Sequence, residues 1–299
     1  MESLKRKYTY LVIFLGPAFM LVVVFFLLPV VLDLLLSVSD VGADLKFRNF
    51  TLENFRRMWN DRHVLETLSL TAFFVIPTLT LFNVGLAIVL SLMMHSMPDG
   101  ISSFFRSIWL LPRMAPHVIY AILWLWMLDP TDNGLFNQVL IFFGFEQFDF
   151  INSAPLLIII VTNGIIGCSM GLLIFSAAIK GIPEHLYLAA KVDGASGTAT
   201  IMKIILPGIK WQLIFVSMYQ TISLLITFEV ILLITKGGPF YDSTVFALYA
   251  YNRAFVNGQY AYGAALALVL VVLGIVGSMF LWKVSNVEAL MQEPKIEGF

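Results

Sequence analysis

The stretch EHLYLAAKVDGASGTATIMKIILP, residues 184–207, interrupts an apolar chain with charges, small residues and glycines before it ends at a proline. Pro183 suits the first turn of a helix, and Gly194 can adopt the left-handed backbone that ends one. A second helical pattern begins at Thr198, with isoleucines at helical spacing. The stretch therefore predicts an elbow: a helix over 183–193, a turn, and a second helix.

The composition is that of a membrane protein. Of 299 residues, 59% are apolar and 12% are charged, and the mean hydropathy is +0.88. A soluble domain of this length would lack the polar surface to cover itself. The net charge of −1 gives the whole chain no attraction to nucleic acid. A single cysteine, Cys168, excludes an intrachain disulfide and a four-cysteine zinc site.

Apolar blocks long enough to cross a bilayer, roughly 20 residues in a helix, occur along the whole chain. Their approximate bounds are 9–36, 67–94, 104–128, 155–180, 207–235 and 260–284. The first block is longer than the core of a signal peptide, so we expect an uncleaved anchor. We expect an all-α integral membrane protein with six transmembrane helices. It would be a single transmembrane domain over 1–299, with the elbow, about 181–206, between helices four and five.

The charge pattern favours a cytoplasmic N-terminus and, with six spans, a cytoplasmic C-terminus. Basic residues 5–7 precede the first span, whereas loop 129–154 holds four acidic residues and no lysine or arginine. Loop 37–66 opposes this orientation, because it places five basic residues outside, although five acidic residues accompany them. Within that loop, the pattern around Trp59 predicts an interfacial amphipathic helix.

The elbow resembles the cytoplasmic signature of permease subunits of bacterial ATP-binding-cassette (ABC) importers. That signature is Glu-Ala-Ala, three residues, Gly, nine residues, then Ile-x-Leu-Pro. The same spacing here gives Leu188-Ala189-Ala190, Gly194 and Ile204-Ile205-Leu206-Pro207. The stretches LLPRMAPHVIYAILWLWMLDP (110–130) and ITKGGPFYDST (234–244) look like the sugar and glycerol-phosphate branch of that family. The resemblance covers nearly the whole chain.

In that family the elbow is the coupling helix, which docks into a cleft of a cytoplasmic ATPase subunit. The resemblance implies that these residues couple to the ATPase: Glu184, Tyr187, Leu188, Ala189, Ala190, Asp193 and Gly194. Leu188 departs from the family pattern, which commonly has glutamate, and Glu184 one turn earlier is the alternative acidic contact. Without the resemblance, a plain helical connector is the simpler interpretation of the elbow.

Polar residues of spans four and five form the candidate cargo site. Gln220, Ser223 and Thr227 fall at i, i+3 and i+7 on one helical face. Helix packing uses the same residue types, so the pattern alone leaves both interpretations open. The resemblance places a sugar site on these two helices. The expected substrate-binding residues are Asn163, Gly167, Met170, Gln220, Ser223, Leu224, Thr227 and Glu229.

Other polar residues in the spans receive structural assignments. We expect Asp33 and Arg113 to extend toward span ends, and His117 to serve packing or hydrogen bonding rather than ligand binding. The four histidines form no metal-binding motif. Residues 194–198 are not a phosphate loop, because that loop needs a lysine and a preceding strand. We therefore expect no enzyme activity, no cofactor and no metal in this chain.

The resemblance implies half of a translocation pathway for a sugar or related polar solute, in a multi-pass protein of the bacterial cytoplasmic membrane. ATP and Mg²⁺ would bind partner subunits. Expected partners are a second permease in a heterodimer, two ATPase subunits, an extracytoplasmic solute-binding protein and membrane lipid, with no nucleic acid. The alternative is an ion-coupled secondary transporter or channel, which would show paired intramembrane acids and inverted repeats. The sequence offers only Glu229 beside the cargo face and no repeat.

Overall fold

The computed structural model describes residues 13–42, 44 and 46–284, and most of these are helical. The helices used below are α1 (Ile13–Ser37), α2 (Glu53–Asn60), α3 (Arg62–His95), α4 (Asp99–Met114), α5 (His117–Met127), α6 (Leu135–Phe142), α7 (Pro155–Lys180), α8 (Glu184–Val192), α9 (Gly197–Gly208), α10 (Lys210–Ile226), α11 (Glu229–Ile234), α12 (Phe246–Tyr251) and α13 (Tyr260–Val284). The described residues contain no β-strand, only an isolated bridge between Ser39 and Phe50. The predicted all-α class is confirmed.

Four helices are long and apolar enough to cross a membrane: α1, α3, α7 and α13. Two more crossings arise if the bent pairs α4 with α5 and α9 with α10 each form one span. The structure therefore gives four to six spans among the described residues, and the number six stays a prediction. Helix α7 has the predicted bounds 155–180. Residues 9–12 of the predicted first span lie outside the described residues.

The predicted span 104–128 is not one straight helix, because the chain bends by 100° between α4 and α5. Ala115 and Pro116 form the break, with ψ values of 139° and 136°. Proline has no N–H to donate and disfavours helical backbone in the residue before it. The block was apolar enough to predict a span, but its proline divides the helix.

The predicted span 207–235 is also interrupted. The 66° bend between α9 and α10 lies close to the predicted start of the span, in agreement with a separate second helix of the elbow. Within the span, however, α10 ends at Ile226 before α11 begins at Glu229. Between them, Thr227 is extended, with ψ 123°, and its hydroxyl donates to the Ser223 carbonyl oxygen at 2.7 Å. Thr227 therefore lies beyond the end of α10, and only Gln220 and Ser223 of the predicted three-residue face are on the helix.

One compact unit comprises residues 65–248 and 272–284. Two apolar clusters hold it together. The first joins α3, α7, α9 and α10 through Ala87, Cys168, Phe175, Ile179, Ile205, Ile209 and Val216. The second joins α5, α7 and α11 through Tyr120, Ala121, Trp124, Leu128, Ile158, Val230 and Ile234. Together these clusters position the ends of the broken helices against α7.

Helices α3 and α7 approach so closely that glycine is required on α7. A methyl group on Gly164 would lie 2.4 Å from the Phe82 side chain, and one on Gly171 would lie 2.5 Å from the Asn83 carbonyl oxygen. The facing part of α3, Thr78–Leu86, is π-helical. Small residues let two membrane helices pack backbone to backbone, so this pair is the tight centre of the unit.

A second compact unit comprises the described residues between 13 and 64 together with Tyr249–Val271. It contains α2, which confirms the predicted helix around Trp59, whose side chain is 89% exposed. Asn54 of α2 donates to the carbonyl oxygens of Ser37 and Ser39 at 3.0 and 2.7 Å. These bonds fix α2 to the end of α1. The single domain predicted over 1–299 stays a prediction.

Asp61 is the polar centre of this second unit. Its carboxylate accepts hydrogen bonds from the hydroxyls of Tyr249 and Tyr262, the latter at 2.7 Å, and lies 3.7 Å from the Arg253 guanidinium. Burial raises the pKa of Asp61, but the hydrogen bonds and the Arg253 charge together hold that pKa below its ordinary value of 3.8. Burial, aided by this carboxylate, raises the pKa of Tyr249 to about 12.

Tyr262→Phe should lower the thermal midpoint of the detergent-solubilised protein. The change removes a hydrogen bond to a partly buried carboxylate, a loss of about 1.5–3 kcal/mol. Folding lowers the pKa of Asp61, so the ionised carboxylate stabilises the folded protein fully above about pH 3.8, the pKa of the unfolded state. This stabilisation is lost as the pH falls through the lower pKa of the folded state. The control is Tyr260→Phe, and an equal loss in both variants would contradict the assignment.

Candidate functional site

A cavity of about 390 Å³ lies where the broken helices meet α7. Its lining residues are Arg113, His117, Asn163, Ile166, Ser223, Ile226, Thr227, Phe228, Glu229 and Val230. They come from α4, α5, α7, α10 and α11 and from the break between the last two. Cavities of a few hundred cubic ångströms with a few convergent polar groups are typical of small-molecule sites.

The two helix breaks bring the ionisable side chains into this cavity. His117 is the first helical residue after the Pro116 break, and Glu229 is the first helical residue after the break at Thr227 and Phe228. The His117 Nδ1 and Glu229 Oε2 atoms are 2.7 Å apart, and both side chains remain about half exposed. An exposed pair of this kind contributes little to stability. The exposure of both side chains leaves them accessible to a solute in the cavity.

His117 makes a hydrogen-bonding contact, as predicted, but it also lines the cavity, and so does Arg113. The extension of Arg113 toward a span end stays a prediction. The sequence held a usable signal: each lies within four residues of Pro116 inside an apolar block. Proline interrupts helical backbone, and here a residue on each side of the break lines the cavity. An ionisable residue beside a helix break within a membrane segment indicates a functional site.

Four of the eight predicted cargo residues line the cavity: Asn163, Ser223, Thr227 and Glu229. Asn163 is buried, and its amide group donates to the Ile159 carbonyl oxygen at 2.9 Å. The Thr227 hydroxyl likewise donates within the chain, to Ser223. A bound solute would therefore meet mainly hydrogen-bond acceptors on these two side chains.

The other four, Gly167, Met170, Gln220 and Leu224, do not line the cavity. The Gln220 Nε2 atom donates to the Gly167 carbonyl oxygen at 2.7 Å, and this bond is buried. Leu224 is buried, and Met170 is partly buried. In this conformation Gln220 and Gly167 therefore join α10 to α7, which is the helix-packing interpretation that the sequence left open. A cargo contact for these four stays a prediction.

The elbow has the helix–turn–helix geometry that the sequence predicts. Pro183 precedes α8, and Gly194 ends it with φ +70°. Ser196 then caps α9, because its hydroxyl accepts a hydrogen bond from the Ala199 N–H at 3.2 Å. A methyl group on Gly194 would meet no atom within 4 Å. The left-handed backbone, rather than crowding, therefore favours glycine here.

The predicted coupling residues divide into an exposed set and an inward set. The exposed set is Glu184, Leu188, Ala189, Asp193 and Gly194. Ala190, in contrast, is buried, and Tyr187 is partly buried against the first apolar cluster. The Tyr187 hydroxyl donates to the Ile179 carbonyl oxygen at 3.4 Å, and its ring centroid lies 5.6 Å from that of His95. Tyr187 thus fixes α8 to α7 and to the end of α3.

Comparisons with known proteins agree with this geometry. The diacetylchitobiose uptake system permease protein NgcF of Streptomyces coelicolor is 30% identical, over 94% of this chain and 83% of that protein. The lactose transport system permease protein LacF of Rhizobium radiobacter is 29% identical, over 91% and 93%. Both alignments span most of each chain, so the likeness extends beyond one motif.

A crystal structure of a bacterial ABC transporter involved in import of the acidic polysaccharide alginate contains a chain with the same fold. The TM-score is 0.84 at 22% identity, over 95% of this chain and 97% of that chain. A second structure shows the alginate transporter in complex with an alginate pentasaccharide-bound periplasmic protein, with the same TM-score. The present chain therefore shares the fold of that chain of the alginate transporter.

The family comparison covers most of the chain. Residues 67–281 match the family described as the inner-membrane component of binding-protein-dependent transport systems. The match confirms the resemblance first carried by the elbow, and it is inconsistent with the alternative of an ion-coupled carrier or channel. A multi-pass protein of this family is a transport permease rather than an enzyme. The chain belongs to the family of inner-membrane components of binding-protein-dependent transport systems.

Proposed function

We propose that this chain forms one half of the translocation pathway of an ABC importer for a sugar or a related polar solute. The cavity carries the proposal, because Arg113, His117 and Glu229 meet there with hydroxyl and amide groups. Ionisable groups within membrane segments are costly and mark substrate pathways. The relatives named for diacetylchitobiose and lactose uptake support a carbohydrate cargo.

The cavity offers the chemistry that a polyhydroxylated solute needs. Arg113 presents only donors, whereas the Glu229 carboxylate presents only acceptors. Ser223 adds a hydroxyl, which can do both. Apolar walls from Ile166, Ile226 and Phe228 complete the lining, and such walls suit the C–H faces of a sugar ring.

The remaining half of the pathway and the energy come from other chains. A second permease, in a heterodimer, would close the pathway, and two ATPase subunits would bind ATP and Mg²⁺. An extracytoplasmic solute-binding protein would deliver the cargo, as the periplasmic protein bound to the alginate transporter suggests. The present chain itself then carries out no chemical reaction.

Helix α8 is the proposed coupling helix. Its exposed surface presents small Ala189 beside apolar Leu188 and Val192, of which Val192 is 86% exposed. Exposed apolar side chains on a short helix are a common feature of docking surfaces. Because Tyr187 holds α8 against α7, a force applied to α8 reaches the helix that carries Asn163. Glu184 and Asp193 supply acidic groups at the two ends of the helix.

Purification of the assembled complex tests the proposed function. Affinity-tagged chain, extracted gently with its partners, should bring down an ATPase and a second permease. Mass spectrometry of the small molecules released on denaturation should find a sugar or polyol. Glu229→Gln together with Ser223→Ala should lower the amount of released solute without loss of the ATPase. Isolation of the chain as a stable complex without any ATPase would contradict the proposal.

Labelling of introduced cysteines tests the proposed orientation, in which both termini and the elbow are cytoplasmic. In a Cys168→Ala background, an impermeant maleimide should label Leu135→Cys and Phe240→Cys in intact cells, but not Val192→Cys. Phe240 and Val192 are 96% and 86% exposed, so accessibility to solvent is not the limit. Permeabilised cells provide the control, since all three should then react. Labelling of residue 192 from outside would reverse the orientation.

A further inference from the structure

Asn83 has an unusual environment. Its side chain is 0% exposed, and neither its Nδ2 nor its Oδ1 atom has a hydrogen-bond partner among residues 13–42, 44 and 46–284. Thr78, on the same π-helical segment and equally buried, donates to the Phe74 carbonyl oxygen. Buried side-chain amides in proteins are almost always hydrogen-bonded. The unpaired amide of Asn83 therefore requires a specific explanation.

The Asn83 amide faces the helix that carries the cavity. A methyl group on Gly167 would lie 2.2 Å from Asn83 Oδ1 and 2.5 Å from Nδ2. The Gly167 carbonyl oxygen is occupied by Gln220. Asn83, Gly167 and Gln220 thus form a three-helix contact between α3, α7 and α10, which we name the polar knot.

The polar knot lies one helical turn from the cavity on two helices. Asn163, which lines the cavity, precedes Gly167 by four residues on α7. Ser223, which also lines it, follows Gln220 by three residues on α10. Residues three or four apart share a face of an α-helix. The knot is therefore the next polar layer beyond the cavity lining.

We propose that Asn83 is a further cargo-recognition residue, occluded in this conformation and uncovered when α3 and α7 separate during the transport cycle. An unpaired buried amide disfavours the closed knot, so a conformation that provides partners is relatively favoured. The π-helical backbone around Asn83 is consistent with this role, since π segments occur frequently at functional sites. The proposal rests on the proposed function and adds a residue from α3 to the site.

The chemistry of the amide identifies the class of cargo group that it binds. One carboxamide offers a donor and an acceptor side by side. Two adjacent hydroxyls of a sugar or polyol offer the complementary acceptor and donor. A single anionic group would satisfy only the Nδ2 side. Asn83 therefore recognises vicinal hydroxyls as the cargo passes from the cavity through the polar knot.

Cysteine reactivity tests the uncovering without knowledge of the cargo. Asn83→Cys, in the Cys168→Ala background and in the assembled complex, should react slowly with a small hydrophilic methanethiosulfonate reagent when nucleotide is absent. Trapping the ATPase with MgATP and vanadate should raise the rate at least about tenfold. Ser176→Cys, a buried α7 position whose hydroxyl bonds to Ser91, is the control and should stay unreactive. Equal rates for residue 83 in the two states would overturn the proposal.

A second pair of variants separates recognition from packing. Asn83→Val removes the unpaired amide and adds little volume, so the thermal midpoint should not fall while uptake falls about tenfold, or about 1.4 kcal/mol. The probe is the sugar that the wild-type complex takes up fastest from a panel including lactose and diacetylchitobiose. Thr78→Val, the matched control, should retain uptake. Undiminished uptake by Asn83→Val, or a loss accompanied by a lower midpoint, would refute a recognition role.

Failure of the proposed function has a different signature. If the wild-type complex takes up no sugar of the panel, the carbohydrate assignment fails whatever residue 83 does. The cysteine reactivity still reports whether the knot opens with the ATPase cycle. A wild-type complex that transports while residue 83 stays unreactive in both states removes the Asn83 proposal alone.

Discussion

Replacing Ala189 by tryptophan is expected to abolish ATP-driven uptake while the chain still folds and inserts. Ala189 is exposed on α8, so the added ring does not disturb the chain's own packing. At a docking surface, it would block close approach of the ATPase. Disruption of a central contact costs at least about 2 kcal/mol, roughly 30-fold in affinity. Co-purification of the ATPase and its hydrolysis rate are the measurements.

The neighbouring residues provide the controls for this prediction. Ala190→Trp is unsuitable, because Ala190 is buried and the variant would disturb the fold itself. Leu188→Glu places the residue usual in the family on the exposed surface and should retain transport. If Ala189→Trp kept normal ATPase binding and normal uptake, α8 would be only a connector between α7 and α9.

Gly167→Ala is expected to destabilise the protein strongly. The new methyl group would lie 2.2 Å from Asn83 Oδ1 and 2.5 Å from its Nδ2 atom, so α3 and α7 would have to move apart. Overpacking of a tight core typically costs about 1–3 kcal/mol. The Gln220 bond to the Gly167 carbonyl would also be strained. The thermal midpoint should fall, and uptake should fall with it.

A rescue experiment tests the steric reason. Adding Asn83→Ala to Gly167→Ala removes the opposing atoms and should restore most of the thermal midpoint, although uptake should stay low. Gly274→Ala is the matched control, because a methyl group there meets no atom within 4 Å. A double variant as unstable as Gly167→Ala alone would show that the contact with Asn83 is not the cause.

Local patterns predicted much of the fold. The Pro183 and Gly194 signals gave α8 within a residue at each end, because helix ends depend on backbone preferences that are local. Helix α7 has its predicted bounds. An apolar block of 26 residues without an internal proline satisfies its backbone hydrogen bonds in a bilayer by forming one continuous helix. The helix breaks at Pro116 and Thr227 were not predicted, because both lie in blocks that are apolar throughout, and apolarity alone does not distinguish a continuous helix from a broken one.

The candidate site was predictable only in part. Polar residues inside apolar blocks identified Asn163, Ser223, Thr227 and Glu229, since such residues need a reason to be there. Which of them share a cavity depends on how helices distant in the chain pack, and the spacing in one helix does not contain that information. Asn83 was missed for the same reason: its significance lies in having no partner, and only the packed structure reveals that.

The most direct measurement is the energy source of uptake in proteoliposomes that contain the complete complex and its binding protein. The account predicts that a panel sugar accumulates only when ATP is supplied on the side of α8, and that ADP or a proton or sodium gradient does not replace it. Glu229→Gln with Ser223→Ala should lower that accumulation. Accumulation driven by an ion gradient without ATP hydrolysis would contradict the account.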